Sequence, residues 1–111
     1  MLLHPGDKLH IITRRLYEND LRRHFAGEVQ NVTENAVRLK GYSFVFDGIS
    51  NDFKRREDVR VRLFSLIDAG LIINLLPAEA IIENIAYALS AENHLLVTDG
   101  KHFTLDIQEF Y

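Results

Sequence analysis

The sequence predicts a mainly β fold: a small, strongly bent antiparallel barrel with a short helical segment near residues 78–84 and a C-terminal β-hairpin over residues 94–107. Three observations predict it. Apolar and polar side chains alternate at period two through several runs between residues 8 and 66, the spacing of strands buried on one face. In two of those runs the apolar set changes side partway, at Gly27–Val32 and at Gly41, which requires a bulge or a bend. Asp99-Gly100 then stands between two apolar runs, a strong short-range hairpin signal.

Pro5-Gly6-Asp7 reads as a turn leading into the first strand. Residues 8–16 place Leu9, Ile11 and Thr13 on one face and Lys8, His10, Ile12 and Arg14 on the other. After the turn Glu18-Asn19-Asp20, a second strand runs from about Leu21 to Thr33. Phe25, Gly27 and Val29 share a face, but Val32 comes three positions later, so a bulge is expected between them. Glu34-Asn35 is a tight turn, since Asn tolerates positive φ. The third strand, about Ala36 to Asp47, carries Val37 and Leu39 before Gly41 and Tyr42, Phe44 and Phe46 after it, as in a strand passing from one layer to another. Gly48 to Asp58 shows no regular pattern. Val59, Val61 and Leu63 alternate with Arg60 and Arg62. Asp68-Ala69-Gly70 is a turn, and Leu71 to Leu76 is nearly all apolar, as in a strand buried on both faces or one that meets another chain. Pro77 and Glu79 signal a helix start, whereas Ile85, Tyr87 and Leu89 alternate; the reading is a short helical turn followed by a strand. Phe103, Leu105 and Ile107 form the apolar face of the closing hairpin.

The chain's 111 residues fit a single domain, with the barrel core over about residues 7–90. Apolar residues make up 47% and charged residues 26%, which supports a folded core and argues against disorder. No apolar run is long enough for a transmembrane helix, and the first residues lack a signal-peptide layout. With zero cysteines, a disulfide framework and thiol chemistry are ruled out, and the cytoplasm is the expected compartment. The net charge of −3 is unevenly spread: residues 1–62 hold 12 of the 13 Lys and Arg against 9 acids, and residues 63–111 hold Lys101 against 7 acids. Such polarity suits nucleic acid on one face or head-to-tail self-association; solvated strand faces would produce it too.

Phe25-Ala26-Gly27-Glu28-Val29, Val32-Thr33 and Asn35-Ala36-Val37-Arg38-Leu39 resemble the second and third strands of the Sm-like (LSm, Hfq-like) small barrels, themselves akin to SH3-like barrels. The resemblance covers about residues 8–46, with Leu71–Leu76 and the apolar run after Pro77 in the place of the family's fourth and fifth strands. It implies a homo-oligomeric ring closed by pairing between those strands, and RNA as a ligand, with Asn35 standing for the family's turn asparagine. Two departures stand out. Thr33 replaces a usual Asp, and Ile73-Asn74-Leu75 carries no cation where the family places a nucleotide-holding pair.

Motifs for catalysis are lacking. The histidines His4, His10, His24, His94 and His102 show no metal-ligand spacing, so no metal and no cofactor is expected. Neither a nucleophile elbow nor a phosphate loop occurs, and no small-molecule substrate is evident. Basic residues cluster at Arg14-Arg15, Arg22-Arg23 and Lys54-Arg55-Arg56, with Arg60 and Arg62 beyond. Arginine can fork onto phosphate, and aromatic neighbours such as Phe25, Tyr42, Phe53 and Phe64 could stack bases. Adjacent strand residues face opposite ways, so one of each arginine pair lines a given face. The candidate nucleic-acid residues are therefore Arg14, Arg22, Asn35, Arg55, Arg56, Arg60 and Arg62, for single-stranded RNA. The candidate oligomer interface is Leu71, Ile72, Ile73 and Leu75. The leading expectation is a non-enzymatic homo-oligomeric binding module; the alternative is a protein–protein scaffold without nucleic acid.

Overall fold

The computed structural model describes residues 2–109. Its strands are β1 (Lys8–Thr13), β2 (Arg23–Val32), β3 (Ala36–Asp47), β4 (Asp52–Arg55), β5 (Arg60–Ser65), β6 (Leu71–Leu76), β7 (Ala86–Leu89), β8 (Leu95–Thr98) and β9 (Thr104–Asp106), with a 3₁₀ turn at Ile82–Asn84 before β7. The fold is mainly β, and every pairing is antiparallel. The first sheet runs β4-β3-β2-β1-β6, with β5 also on β3; the second runs β7-β8-β9. The twelve-residue β3 serves two neighbours, β5 along Ala36–Gly41 and β4 along Phe44–Asp47. Among the described residues no strand pairing joins β5 to β6, so the hydrogen-bonded ladder does not close into a barrel.

Alternation along the central strands feeds two cores. Leu9, Ile11, Phe25, Val29, Val37 and Leu39 pack together on one face of the first sheet. Ile12, Ala26, Phe44, Phe53 and Leu76 belong to the other core, which Leu95, Val97 and Ile107 of the C-terminal region complete. The change of apolar phase at Gly41 is thereby explained. Register continues unbroken from Leu39 to Tyr42, but the buried side changes from the first core to the second. The bulge expected in β2 is present: Val29 pairs with Leu39 and Asn31 with Arg38, leaving Gln30 as the extra residue. Gly27 and Gly41 lie directly opposite one another. A Cβ on Gly41 would fall on the carbonyl oxygen of Ala26 and within 2.5 Å of Gly27 Cα, so close backbone approach requires glycine there.

Three expectations change in detail. The patternless stretch 48–58 contains β4, whose one buried apolar residue, Phe53, is too little to show a period. The helical segment is a single 3₁₀ turn, and residues 86–89 join the second sheet rather than the first. The C-terminal hairpin has a longer loop than Asp99-Gly100 alone, since Thr98 pairs with Thr104. Asp99 holds that loop, its buried carboxylate accepting from the N–H groups of Lys101 at 2.9 Å, His102 at 2.7 Å and Ile81 at 3.0 Å. The connection between sheets is tied back to β1, where Lys8 Nζ donates to the carbonyls of Ala78 at 2.8 Å and Ala80 at 2.6 Å. None of the helical residues forms a helix long and apolar enough to cross a membrane, among the described residues.

Candidate nucleic-acid interface

Period two places Arg60 and Arg62 of β5 opposite Gly41 and Leu39 of β3, and Arg23 of β2 opposite Val45. Arg56, just after β4, is fixed by its backbone N–H, which donates to the Ser43 carbonyl at 2.8 Å. These four arginines, from two separate stretches of chain, line one groove of about 470 Å³. Ser43 and Val45 of β3 also line it, as do Leu21, Glu57 and Asp58. Asp58 lies 3.5 Å from the Arg60 guanidinium, but both side chains are largely exposed, so the pair holds the arginine weakly. Four guanidinium groups against two carboxylates leave the groove cationic.

Of the seven expected residues, Arg14, Arg22, Asn35 and Arg55 do not line this groove, whereas Arg56, Arg60 and Arg62 do. Arg23 joins them in place of its neighbour Arg22. The alternation that separates the two residues was legible, but which of them shares a face with Arg60 depends on the pairing of β2, β3 and β5. Arg22 lies over the Phe46 ring, 5.1 Å from its centroid. Arg55 turns to the second core, donating to the Glu83 carbonyl and covering the Tyr42 ring at 4.7 Å. Arg14 sits in the β1–β2 connection, where its N–H donates to the Gly70 carbonyl at 2.8 Å. Asn35 lies in the β2–β3 turn, at the far end of β3 from Ser43 and Val45, and its carbonyl accepts from Leu66 N–H at 2.7 Å.

The aromatic platform expected beside the arginines is largely spent on packing. Phe25 and Phe53 are buried in opposite cores. Phe64 packs on Phe25 with ring centroids 5.3 Å apart, and Tyr42 lies under Arg55. None of the four is among the groove's lining residues.

Both ends of the first sheet's order carry apolar residues at the surface. On β5, Val61 and Leu63 are 56% and 72% exposed. Leu75 on β6 is 62% exposed, whereas Leu71, Ile72 and Ile73 are half-buried, packed against the two cores. The β6 strand pairs with β1 on one side and is terminal in the strand order.

Sequence spacing did not reveal a third feature. His10 of β1 and His24 of β2 are both buried and meet the hydroxyl of Tyr87 on β7, with His10 Nε2 at 2.9 Å and His24 Nδ1 at 2.6 Å. One hydroxyl serves both neutral rings by donating to one nitrogen and accepting an N–H from the other. Burial lowers the His10 pKa to about 4; burial, with the neighbouring His10 and Arg22 charges, lowers that of His24 to about 3. Burial likewise pushes the Tyr87 phenol up. Both rings are thus neutral at pH 7 and pin the second sheet onto the first. The pair diagonal to one another across β1 and β2 follows from Ile12 standing opposite His24, a register no spacing within one strand could give. No group of three or more His, Cys, Asp or Glu suited to a metal ion occurs among the described residues. Compared with known proteins, the chain matches no family model, no curated protein and no solved structure.

Proposed function

We propose that this chain is a non-enzymatic, homo-oligomeric binding module of Sm-like or SH3-like barrel character, acting in the cytoplasm and binding single-stranded RNA through the arginine groove. The observation that carries the RNA reading is that Arg23 is brought by folding to the same groove as Arg56, Arg60 and Arg62, which lie more than thirty positions further along the chain. Guanidinium forks match phosphate oxygens, and cations brought together by folding create a local field despite the chain's overall acidity. The first sheet's path β4-β3-β2-β1-β6, with β5 beside the first half of β3, leaves β5 and β6 each with a single strand neighbour among the described residues, which supports a rolled-up sheet whose edge strands meet those of other copies.

Retention on single-stranded RNA as a function of salt tests this reading. The groove's surplus of two positive charges corresponds to a slope of log K against log salt of about −1.4 for a single strand. Replacing both Arg60 and Arg62 by Ala removes that surplus, so the slope should fall close to zero while the native mass stays unchanged. Retention that ignores salt, or none at all, refutes RNA binding. A scaffold that binds only protein is the second reading, favoured by the exposed Val61, Leu63 and Leu75. It predicts self-association measured by light scattering with no RNA retention at any salt.

A further inference from the structure

We infer that the groove takes a terminal phosphomonoester of an RNA strand rather than its interior backbone, an inference that rests on the RNA reading above. The charge balance is the first reason. Arg23, Arg56, Arg60 and Arg62 face Glu57 and Asp58 within one groove, a surplus of two positive charges. A phosphomonoester carries about −1.5 to −2 at pH 7, close to that surplus, whereas an interior phosphodiester carries a single charge.

Shape is the second reason. The groove offers about 470 Å³, room for a phosphate and the nucleoside attached to it, and it opens to solvent. Its cations come from two places in the chain, Arg23 of β2 and the run from Arg56 to Arg62, and all four line the one site, so a compact anion seated there meets cations from both. Glu57 and Asp58 stand between Arg56 and Arg60 in sequence and line the same groove, where they repel any strand continuing past that side.

Chemistry of the lining is the third reason. Phe25, Tyr42, Phe53 and Phe64 are not among its residues, so the stacking platforms that hold interior bases of single strands come from none of them. Ser43 adds a neutral hydroxyl that can donate to a phosphate oxygen, and Val45 and Leu21 add apolar surface suited to one sugar or base edge. A binding mode built this way is governed by the charge of the strand end and is insensitive to sequence.

The test compares one ten-residue oligouridylate in three forms at pH 7 and fixed salt: 5′-phosphorylated, 3′-phosphorylated and with hydroxyls at both ends. At least one phosphorylated form should bind about tenfold more tightly than the unphosphorylated strand, the effect of one added charge-assisted contact. Arg23→Gln should reduce that preference to less than about threefold, and because Arg23 is exposed the substitution should leave the fold intact. Equal binding of all three forms overturns the terminal-phosphate inference while leaving RNA binding standing. Binding of none of them overturns both. A preference that survives unchanged in Arg23→Gln places the phosphate elsewhere and also overturns the inference.

Discussion

The buried pair His10 and His24 makes stability depend on pH below about 6.5. In the unfolded chain both imidazoles gain a proton as pH falls through about 6.5. In the folded chain they stay neutral until about pH 4 and about pH 3. Lowered folded pKa values mean that the unfolded state binds more protons across the interval, so stability falls as pH falls below 6.5. From 6.5 to 5 is about 1.5 pH units, which at about 1.4 kcal/mol per unit is about 2 kcal/mol for each histidine and about 4 kcal/mol for the pair. Asp99 and Asp106 also have lowered pKa values, Asp99 because backbone and His102 hydrogen bonds outweigh its burial and Asp106 through the Gln108 N–H and His94. Their contributions are lost only as pH falls through the unfolded carboxylate range near 3.9, below this window. Urea unfolding at pH 7 and pH 5 measures the effect. The comparison protein carries His10→Gln and His24→Asn, whose amides sit near the Nε2 and Nδ1 positions that meet the Tyr87 hydroxyl but do not titrate. Native protein should lose about 4 kcal/mol between the two pH values and the double variant less than about 1 kcal/mol. Equal losses in the two proteins would show that the histidines are not buried and neutral as described.

Gly41→Ala drives a methyl group into the Ala26 carbonyl, so it should destabilise by more than about 3 kcal/mol in urea unfolding or prevent folding; a variant as stable as the parent contradicts the close approach of β2 and β3. Asp99→Ala removes the acceptor for the Lys101 and His102 N–H groups of the loop and for the Ile81 N–H, so Tm should fall and amide exchange of Lys101, His102 and Ile81 should quicken, while unchanged exchange would rule out the buried cap. Leu63→Lys on β5 and Leu75→Lys on β6 alter exposed side chains and should change monomer stability by under about 0.5 kcal/mol. If the terminal strands meet between copies, each should bring the native mass by light scattering down to the 12.8 kDa of one chain, and an undiminished assembly would place the interface elsewhere.

What the sequence settled by itself was local. The period-two runs located β1, β2, β3 and β5, the nearly unbroken apolar run located β6, and the three-residue step from Val29 to Val32 announced the bulge found at Gln30. These patterns are legible because alternation is a property of the strand alone. β4 escaped because Phe53 is its single buried apolar residue, whereas the short helical segment expected near residues 78–84 is present as the 3₁₀ turn Ile82–Asn84. Pairing, by contrast, was decided only in three dimensions. Whether Arg22 or Arg23 shares a face with Arg60 depends on which strands lie side by side and in what register. The same holds for His10 and His24, separated by 14 positions in the chain yet held by a hydroxyl from β7 that lies in a different sheet. Alternation gives each strand two faces, but only the register between strands, and the second sheet laid across one of them, determines which face becomes core, which becomes groove and which remains an open edge.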